Sequence, residues 1–328
     1  MAHEPAREDE VLVEVLEPNL ESVVPLPGGR ALGYAEFGDP DGDAVLWFHG
    51  TPGARKQIPP DVPELARRRG WRIVAVERPG TGYSTPYTYG RALDWVDDLR
   101  RVVDHLTIDR FAVVGLSGGG PFVLAAAYGL PDRVTAAAVL GGIGPTRGPE
   151  TAPGMTRFLP LIEPLLAAAR IPIGELLTHL IRPIRAVADP GFDLYTRVAP
   201  ASDRAVMREP AMKAMFINDL VTACEGGLRA PATDLVVFGR EWGFSLRDIT
   251  VPTRFWHGDA DGIVPLSHGE FMAALVPDAT LVVTPGGGHF AGFVVGPDVL
   301  GFVDEAWTDR AHRPAKRTRT RRAAASKG

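Results

Sequence analysis

Residues 111–122 read Phe-Ala-Val-Val-Gly-Leu-Ser-Gly-Gly-Gly-Pro-Phe. The apolar run Phe111-Ala112-Val113-Val114 predicts a short buried strand, and the run Phe122–Tyr128 predicts a helix. Between them lies Gly115-Leu116-Ser117-Gly118-Gly119, a G-x-S-x-G spacing that turns a strand into a helix and lifts one serine out on the bend. Glycines suit such a bend because its backbone is strained and because a side chain there would collide with the neighbouring strand or helix. A serine so placed sits at a helix N-terminus, where backbone N–H groups and the helix dipole favour developing negative charge. The spacing alone recurs by chance; the strand before it and the helix after it give it weight.

Strand signals arrive in order at Ser22–Pro25, Arg30–Phe37, Ala44–Phe48, Arg72–Val76, Arg110–Val114 and Thr135–Leu140. The turn Pro27-Gly28-Gly29 joins the first two as a hairpin. Helical patterns fall at 61–69, 91–106 and 118–129. Short apolar strands alternating with helices predict an α/β fold with a largely parallel sheet covered on both faces. From about Pro145 to Asp248 the strand rhythm stops, and helical stretches broken by prolines take over, including Phe158–Ala169, Ile173–Ile184 and Ala205–Cys224. The rhythm resumes with a strand at Thr253–His257, a helix near Ser267–Leu275, a strand at Thr280–Val283 and a last helix around 297–307. The resulting division is an acidic, mobile N-terminal extension at 1–21, a core at 22–145, a helical insertion at 146–248, the rest of the core at 249–309, and a tail at 310–328.

Composition bounds the function class. The chain of 328 residues is 45% hydrophobic and 23% charged, ordinary values for a globular protein. One cysteine, Cys224, rules out an internal disulfide and suits a reducing compartment. The N-terminus lacks a signal-peptide core and no uninterrupted apolar stretch is long enough to span a membrane, so a cytoplasmic protein without a membrane span is expected. The net charge of −5 is uneven: residues 310–328 carry eight Lys or Arg and no acid, and the remainder carries −13. That tail has nothing to bury and is read as a disordered, solvated segment; a nucleic-acid partner is not expected despite its charge.

A serine hydroxyl is a weak nucleophile unless a base takes its proton and a third group orients that base. Both partners are offered after the insertion. Thr253–Pro265 is a strand ending in the acidic turn His257-Gly258-Asp259-Ala260-Asp261, and Thr280–Phe290 is a strand running into Gly286-Gly287-Gly288-His289. Asp259 and Asp261 compete for the orienting role. Upstream, Val45-Leu46-Trp47-Phe48 ends in His49-Gly50-Thr51-Pro52-Gly53. Acyl transfer needs two N–H donors for the oxyanion, and the amides of Gly118 and Thr51 are the candidates.

These motifs, in this order, resemble those of α/β-hydrolase-fold serine enzymes with a helical cap. The resemblance covers residues 22–307 and rests on His49–Gly53, Glu77-Arg78-Pro79-Gly80-Thr81-Gly82-Tyr83-Ser84, Gly115–Gly119, and His257–Pro265 followed by His289. It implies an eight-stranded, mostly parallel sheet with helices on both faces and the cap inserted after the sixth strand. It implies a triad in the chain order Ser117, Asp261, His289, since the second aspartate of such a turn usually holds the histidine; Asp259 then caps the turn or the following helix. Glu77 stands where these proteins usually have aspartate, a mild departure with no catalytic weight. The His-Gly-x-Pro-Gly loop resembles that of proline iminopeptidases; related loops occur in epoxide hydrolases and haloalkane dehalogenases, but those use an aspartate where this chain has Ser117.

The remaining candidates divide between packing and function. His49 and His257 read as buried histidines bonded to nearby loop backbone, because no cluster of metal ligands surrounds either. His268 and His179 read as surface or cap residues, and Cys224 as a small apolar residue of a cap helix. Gly118-Gly119-Gly120 lacks the lysine of a phosphate loop. The apolar insertion predicts a pocket roof, with Met212, Met215, Phe216 and Trp242 as lining candidates beside Leu116 and Phe290, although packing is the favoured reading for Trp242. The expected function is hydrolysis of a small to medium carboxylic ester with an apolar portion, with a small-molecule substrate and no metal or organic cofactor. Three alternatives stay open: an iminopeptidase, which needs an acid for the substrate amine from among Glu150, Glu163, Glu175, Asp203, Glu209, Asp219 and Glu225; a C–C hydrolase or lyase; and a ligand receptor that keeps the triad.

Overall fold

The computed structural model describes residues 17–154, 199–224 and 229–312, together with positions 161, 163, 164, 167 and 168. The strands are β1 (Leu20–Leu26), β2 (Arg30–Gly38), β3 (Asp43–Phe48), β4 (Trp71–Val76), β5 (Phe111–Leu116), β6 (Val134–Leu140), β7 (Thr253–Gly258) and β8 (Ala279–Thr284). They form one eight-stranded sheet in the order β1-β2-β4-β3-β5-β6-β7-β8. β1 and β2 pair antiparallel, as do β2 and β4, and every pairing from β4 through β8 is parallel. The turn Pro27–Gly29 between β1 and β2 is a short 3₁₀ segment.

The helices are α1 (Val62–Arg69), α2 (Trp95–His105), α3 (Gly120–Gly129), α4 (Ala201–Arg208), α5 (Pro210–Ala223), α6 (Arg229–Phe238), α7 (Leu266–Leu275) and α8 (Gly296–His312). Alternate residues of one strand enter different cores, as the two-residue period of a strand requires. Leu46 and Phe48 of β3 join Trp95 and Leu99 of α2, Phe122 of α3 and Met272 of α7. Val45 and Trp47 join Val62 and Ala66 of α1 and Val299 and Val303 of α8. Coverage of both faces explains why the central strands are continuous apolar runs. β8, at the sheet edge, keeps Val282 and Val283 exposed.

Between β6 and β7 the described residues hold α4, α5 and α6 and no strand of the sheet. The stretch expected as one helix at Ala205–Cys224 is two, broken between Arg208 and Pro210: Pro210 cannot donate a backbone hydrogen bond, and the Glu209 carboxylate caps α5 by accepting the Met212 N–H at 2.8 Å. α6 had no separate signal in the sequence. The expected helices at 158–169 and 173–184, with His179, fall largely or wholly outside the described residues, as do the basic tail and most of the N-terminal extension. Among the described residues no helix is long and apolar enough to cross a membrane.

His268 corrects an expectation. It was expected on the surface or in the insertion, yet it is 0% exposed on α7, and its Nδ1 accepts the Gly144 N–H at 2.9 Å. Burial, with a smaller contribution from nearby His257, lowers its pKa from 6.5 to about 4. The unfolded chain therefore takes up this proton at a higher pH than the folded one. Its contribution is complete above pH 6.5 and is lost as pH falls towards 4, on the order of 3 kcal/mol in all. Urea denaturation at successive pH values should show that loss, and His268→Gln, which keeps an acceptor for Gly144, should flatten it. An unchanged slope in the variant would remove His268 as the source.

Candidate active site

Ser117 stands at the end of β5 with φ +47°, a left-handed conformation rare for a side-chain-bearing residue, and α3 begins at Gly120. The neighbouring glycines leave no room for substituents. A Cβ on Gly115 would lie 2.6 Å from Val123 Cγ2, and one on Gly119 would lie 2.5 Å from the Phe48 carbonyl oxygen. Close packing of the bend against β3 and α3 therefore selects the glycines that flank the serine.

The structure brings Ser117, His289 and Asp261 together from three separate loops. His289 Nε2 is 3.0 Å from Ser117 Oγ, and His289 Nδ1 is 2.7 Å from Asp261 Oδ2. With Nδ1–H donating to the carboxylate, Nε2 is free to accept the serine proton. The other oxygen of Asp261 accepts the Ile263 and Val264 N–H groups, each at 2.8 Å. Burial works to raise the Asp261 pKa, but hydrogen bonds from His257 and His289 and from the turn backbone outweigh it, holding the carboxyl well below the usual range. Asp259 instead accepts the Gly286 N–H at 2.7 Å, tying its turn to the histidine loop.

The Thr51 loop packs directly against the elbow: a Cβ on Gly118 would lie 2.5 Å from Thr51 Oγ1 and 2.8 Å from Phe238 Cζ. A buried arginine holds this loop. Arg78, 1% exposed, donates to the carbonyls of His49 (2.6 Å) and Gly50 (2.8 Å), to Thr51 Oγ1 (2.8 Å) and to Asp234 Oδ2 of α6 (2.7 Å). His49 Nδ1 lies 2.7 Å from the Gly50 carbonyl and its Nε2 accepts the Arg78 N–H, while burial lowers its pKa and keeps the ring neutral. His257 Nε2 is 2.8 Å from the Val264 carbonyl, so both histidines are bonded to loop backbone. Glu77, fully buried, pairs with Arg55 at 2.5 Å.

The helices between β6 and β7 also reach into these loops. Asp219 of α5, 0% exposed, accepts the Ala54 N–H (2.9 Å) and the Lys56 N–H (3.0 Å), and burial raises its pKa to about 7. Asp203 of α4 accepts the N–H groups of His289 and Phe290. None of these contacts, nor Arg78 as a hub, was visible in the sequence. Asp203 and Asp219 were noticed only as acids, and nothing in a linear pattern pairs Arg78 with Asp234, 156 positions away.

The pocket candidates separate into groups. Phe216 of α5 meets Phe290 at 5.0 Å and Phe293 at 4.6 Å between ring centroids, beside the His289 ring, 5.8 Å from Phe290. Met212, Met215 and Leu116 are buried in the same apolar cluster. Trp242 stands apart from this cluster: it is 4% exposed and packed in the other core, tilted against Phe244 at 5.9 Å, with its carbonyl accepting the Leu93 N–H. Packing accounts for it. Among the described residues no group of His, Cys, Asp or Glu is arranged to hold a metal.

Residues 43–167 match the family model described as alpha/beta hydrolase fold. A probable proline iminopeptidase of Leptolyngbya boryana is 31% identical over 125 residues, 37% of this chain and 38% of that protein. The 2-hydroxymuconate semialdehyde hydrolase of Pseudomonas putida is 29% identical over 260 residues, 76% of this chain and 82% of that one. Among solved structures, a thermophilic esterase from Thermogutta terrifontis superposes with a TM-score of 0.64 at 19% identity, covering 90% of this chain and all of the other. The match to the iminopeptidase thus spans under half of that protein, and the likeness to the esterase is one of fold.

The elbow geometry is open to a direct check. Gly119→Ala forces a methyl against the Phe48 carbonyl and should cost about 1–3 kcal/mol of stability by urea denaturation. Gly262→Ala, whose Cβ would meet nothing within 4 Å, should stay within about 0.5 kcal/mol of the unsubstituted protein. Equal effects would mean that the elbow is not closely packed.

Proposed function

Starting from the α/β-hydrolase fold that this chain has, we propose that it is a serine hydrolase acting on small to medium carboxylic esters with an apolar portion. The observation that carries the reading is the unbroken hydrogen-bonded line from Ser117 Oγ through His289 to the ionised Asp261. His289 Nε2 takes the hydroxyl proton as Ser117 Oγ attacks the ester carbonyl, and Asp261 stabilises the resulting imidazolium. The tetrahedral oxyanion lies against the amides of Gly118 and Thr51, on the positive side of α3. Its collapse breaks the bond to the alkoxy group, which leaves with the proton from His289. Water then enters, gives a proton to the same nitrogen and attacks the acyl-enzyme; the second collapse releases the acid and restores the Ser117 hydroxyl.

The helical segment between β6 and β7 is the proposed cap, and Phe216, Phe290, Met212 and Met215 are proposed to line the apolar side of the pocket with Leu116. Among the described residues, the engagement of the candidate acids for a substrate amine favours ester over N-terminal peptide substrates. Glu150 accepts from Ser245 and Leu246, Glu163 from Arg240, Glu209 from Met212, and Asp203 and Asp219 from the loops described above. Each of these carboxylates is committed to the fold; Glu175 and Glu225 lie outside the described residues. A second reading, C–C bond hydrolysis with the same three residues, draws on the Pseudomonas relative that aligns over 76% of this chain.

The test is a series of p-nitrophenyl esters of rising acyl length beside proline and alanine p-nitroanilides. Ester turnover should dominate, and Ser117→Ala should abolish it. Asp261→Asn, which leaves the imidazole tautomer unpinned, should lower kcat by about 10⁴-fold. Because only neutral imidazole accepts the serine proton, kcat/KM should fall on acidification. Activity that survives Ser117→Ala would sink the proposal, and turnover of anilides without ester preference would replace it with the iminopeptidase reading.

A further inference from the structure

We infer that Asp203, in the segment between β6 and β7, is the positioning residue of the histidine loop, so that the proposed cap takes part in setting the geometry of the base. The inference rests on the serine-hydrolase reading of the site. His289 opens a 3₁₀ turn, His289–Phe293, and the first N–H groups of such a turn have no partner within it. They end on α4. Asp203 Oδ2 accepts the His289 N–H at 3.0 Å, Asp203 Oδ1 accepts the Phe290 N–H at 2.9 Å, and the adjacent Ser202 Oγ accepts the Gly288 N–H at 3.0 Å. Consecutive amides of the loop that carries the base are therefore capped in trans, across 86 or 87 positions of sequence.

A second observation points the same way. A Cβ on Gly288 would overlap the Asp203 carboxyl group, so the residue before His289 is glycine because Asp203 occupies the space of a side chain there. Asp203 is itself 1% exposed, sealed into this contact. The chemistry calls for a carboxylate. An ionised carboxylate presents two acceptor oxygens to two parallel N–H donors, whereas an amide of the same shape must turn its NH₂ group towards one of them. The imidazole is thus located from two sides, by its backbone on Asp203 and by its Nδ1 on Asp261, with Nε2 left at 3.0 Å from Ser117. Asp219 treats the Thr51 loop in the same manner through Ala54 and Lys56. Both sides of the serine are therefore fixed by acids from the same inserted segment.

The test compares the unsubstituted protein with Asp203→Asn, Ser202→Ala and, as a control on the same helix, Arg208→Ala, whose parent residue is exposed. One measurement is hydrogen exchange in the segment 286–293; another is the rate at which a fluorophosphonate labels Ser117; a third is the division of ester kinetics between kcat and KM. Asp203→Asn should speed exchange in that segment and slow labelling and kcat by about tenfold to hundredfold, with KM little changed, since displacement of a reacting group by about 1 Å costs that much. Ser202→Ala should do the same more weakly, and Arg208→Ala should match the unsubstituted protein. Should Asp203→Asn fail to fold, Ser202→Ala and Gly288→Ala carry the measurement, the latter expected to be severe. Unchanged exchange, or unchanged labelling with a loss only in KM, would overturn the positioning role. If the unsubstituted protein is not labelled at Ser117, the serine-hydrolase reading fails, and the clasp stands or falls on the exchange data alone.

Discussion

The close approach of the elbow to the end of β3 is the constraint on which the site depends. Ser117 takes a left-handed conformation because the chain must pass from β5 into α3 within a few residues, with the carbonyls of Phe48 and His49 pressed against Gly119. That contact brings the Thr51 loop beside the serine without any bond between them. The rest is local support for this arrangement: strands packed on both faces keep β3 and β5 in register, and Arg78 ties the backbone that leaves β3 to α6. Removing a methyl group's worth of space at Gly118 or Gly119 disturbs both loops together.

Charge is distributed around the site with a consistent logic. The guanidinium of Arg78 donates to the carbonyls of both His49 and Gly50, a planar donor matched to two adjacent acceptors. Asp261 is held ionised by its donors, whereas Asp219, buried and accepting the Ala54 and Lys56 N–H groups, has its pKa raised to about 7. Burial pushes both carboxyls up, with Glu77 adding to it at Asp219; at Asp261 the hydrogen bonds from His257 and His289 reverse the direction.

Much of this was legible in the sequence, for physical reasons. Strands covered on both faces show as unbroken apolar runs, and β3 through β8 announce themselves that way or by alternation. An elbow glycine is legible because no other residue fits. The need of Ser117 for a base and an orienting acid points to His289 and to the turn holding Asp259 and Asp261; the resemblance selects Asp261, and the distances agree with that pairing. The breaks came where meaning depends on a distant partner. Asp203, Asp219 and Asp234 look like ordinary helix acids until the loops they hold are seen. His268 looks like a surface histidine because its acceptor role is played towards Gly144, 124 positions earlier. Trp242 carries nothing in its local pattern to separate a pocket wall from core packing.

The acids of the inserted segment bear on how such a protein can be re-engineered. Specificity in a fold of this kind invites exchange of the helices inserted between β6 and β7, as though they were an interchangeable attachment. Here α4, α5 and α6 each contribute a carboxylate to a loop of the sheet domain, through Asp203, Asp219 and Asp234. A chimera that imports foreign helices leaves those loop amides and Arg78 without their counterparts. Recombination at the ends of β6 and β7 would therefore have to graft in the three acids, or supply loops that stand without them, before any new pocket could be expressed as activity.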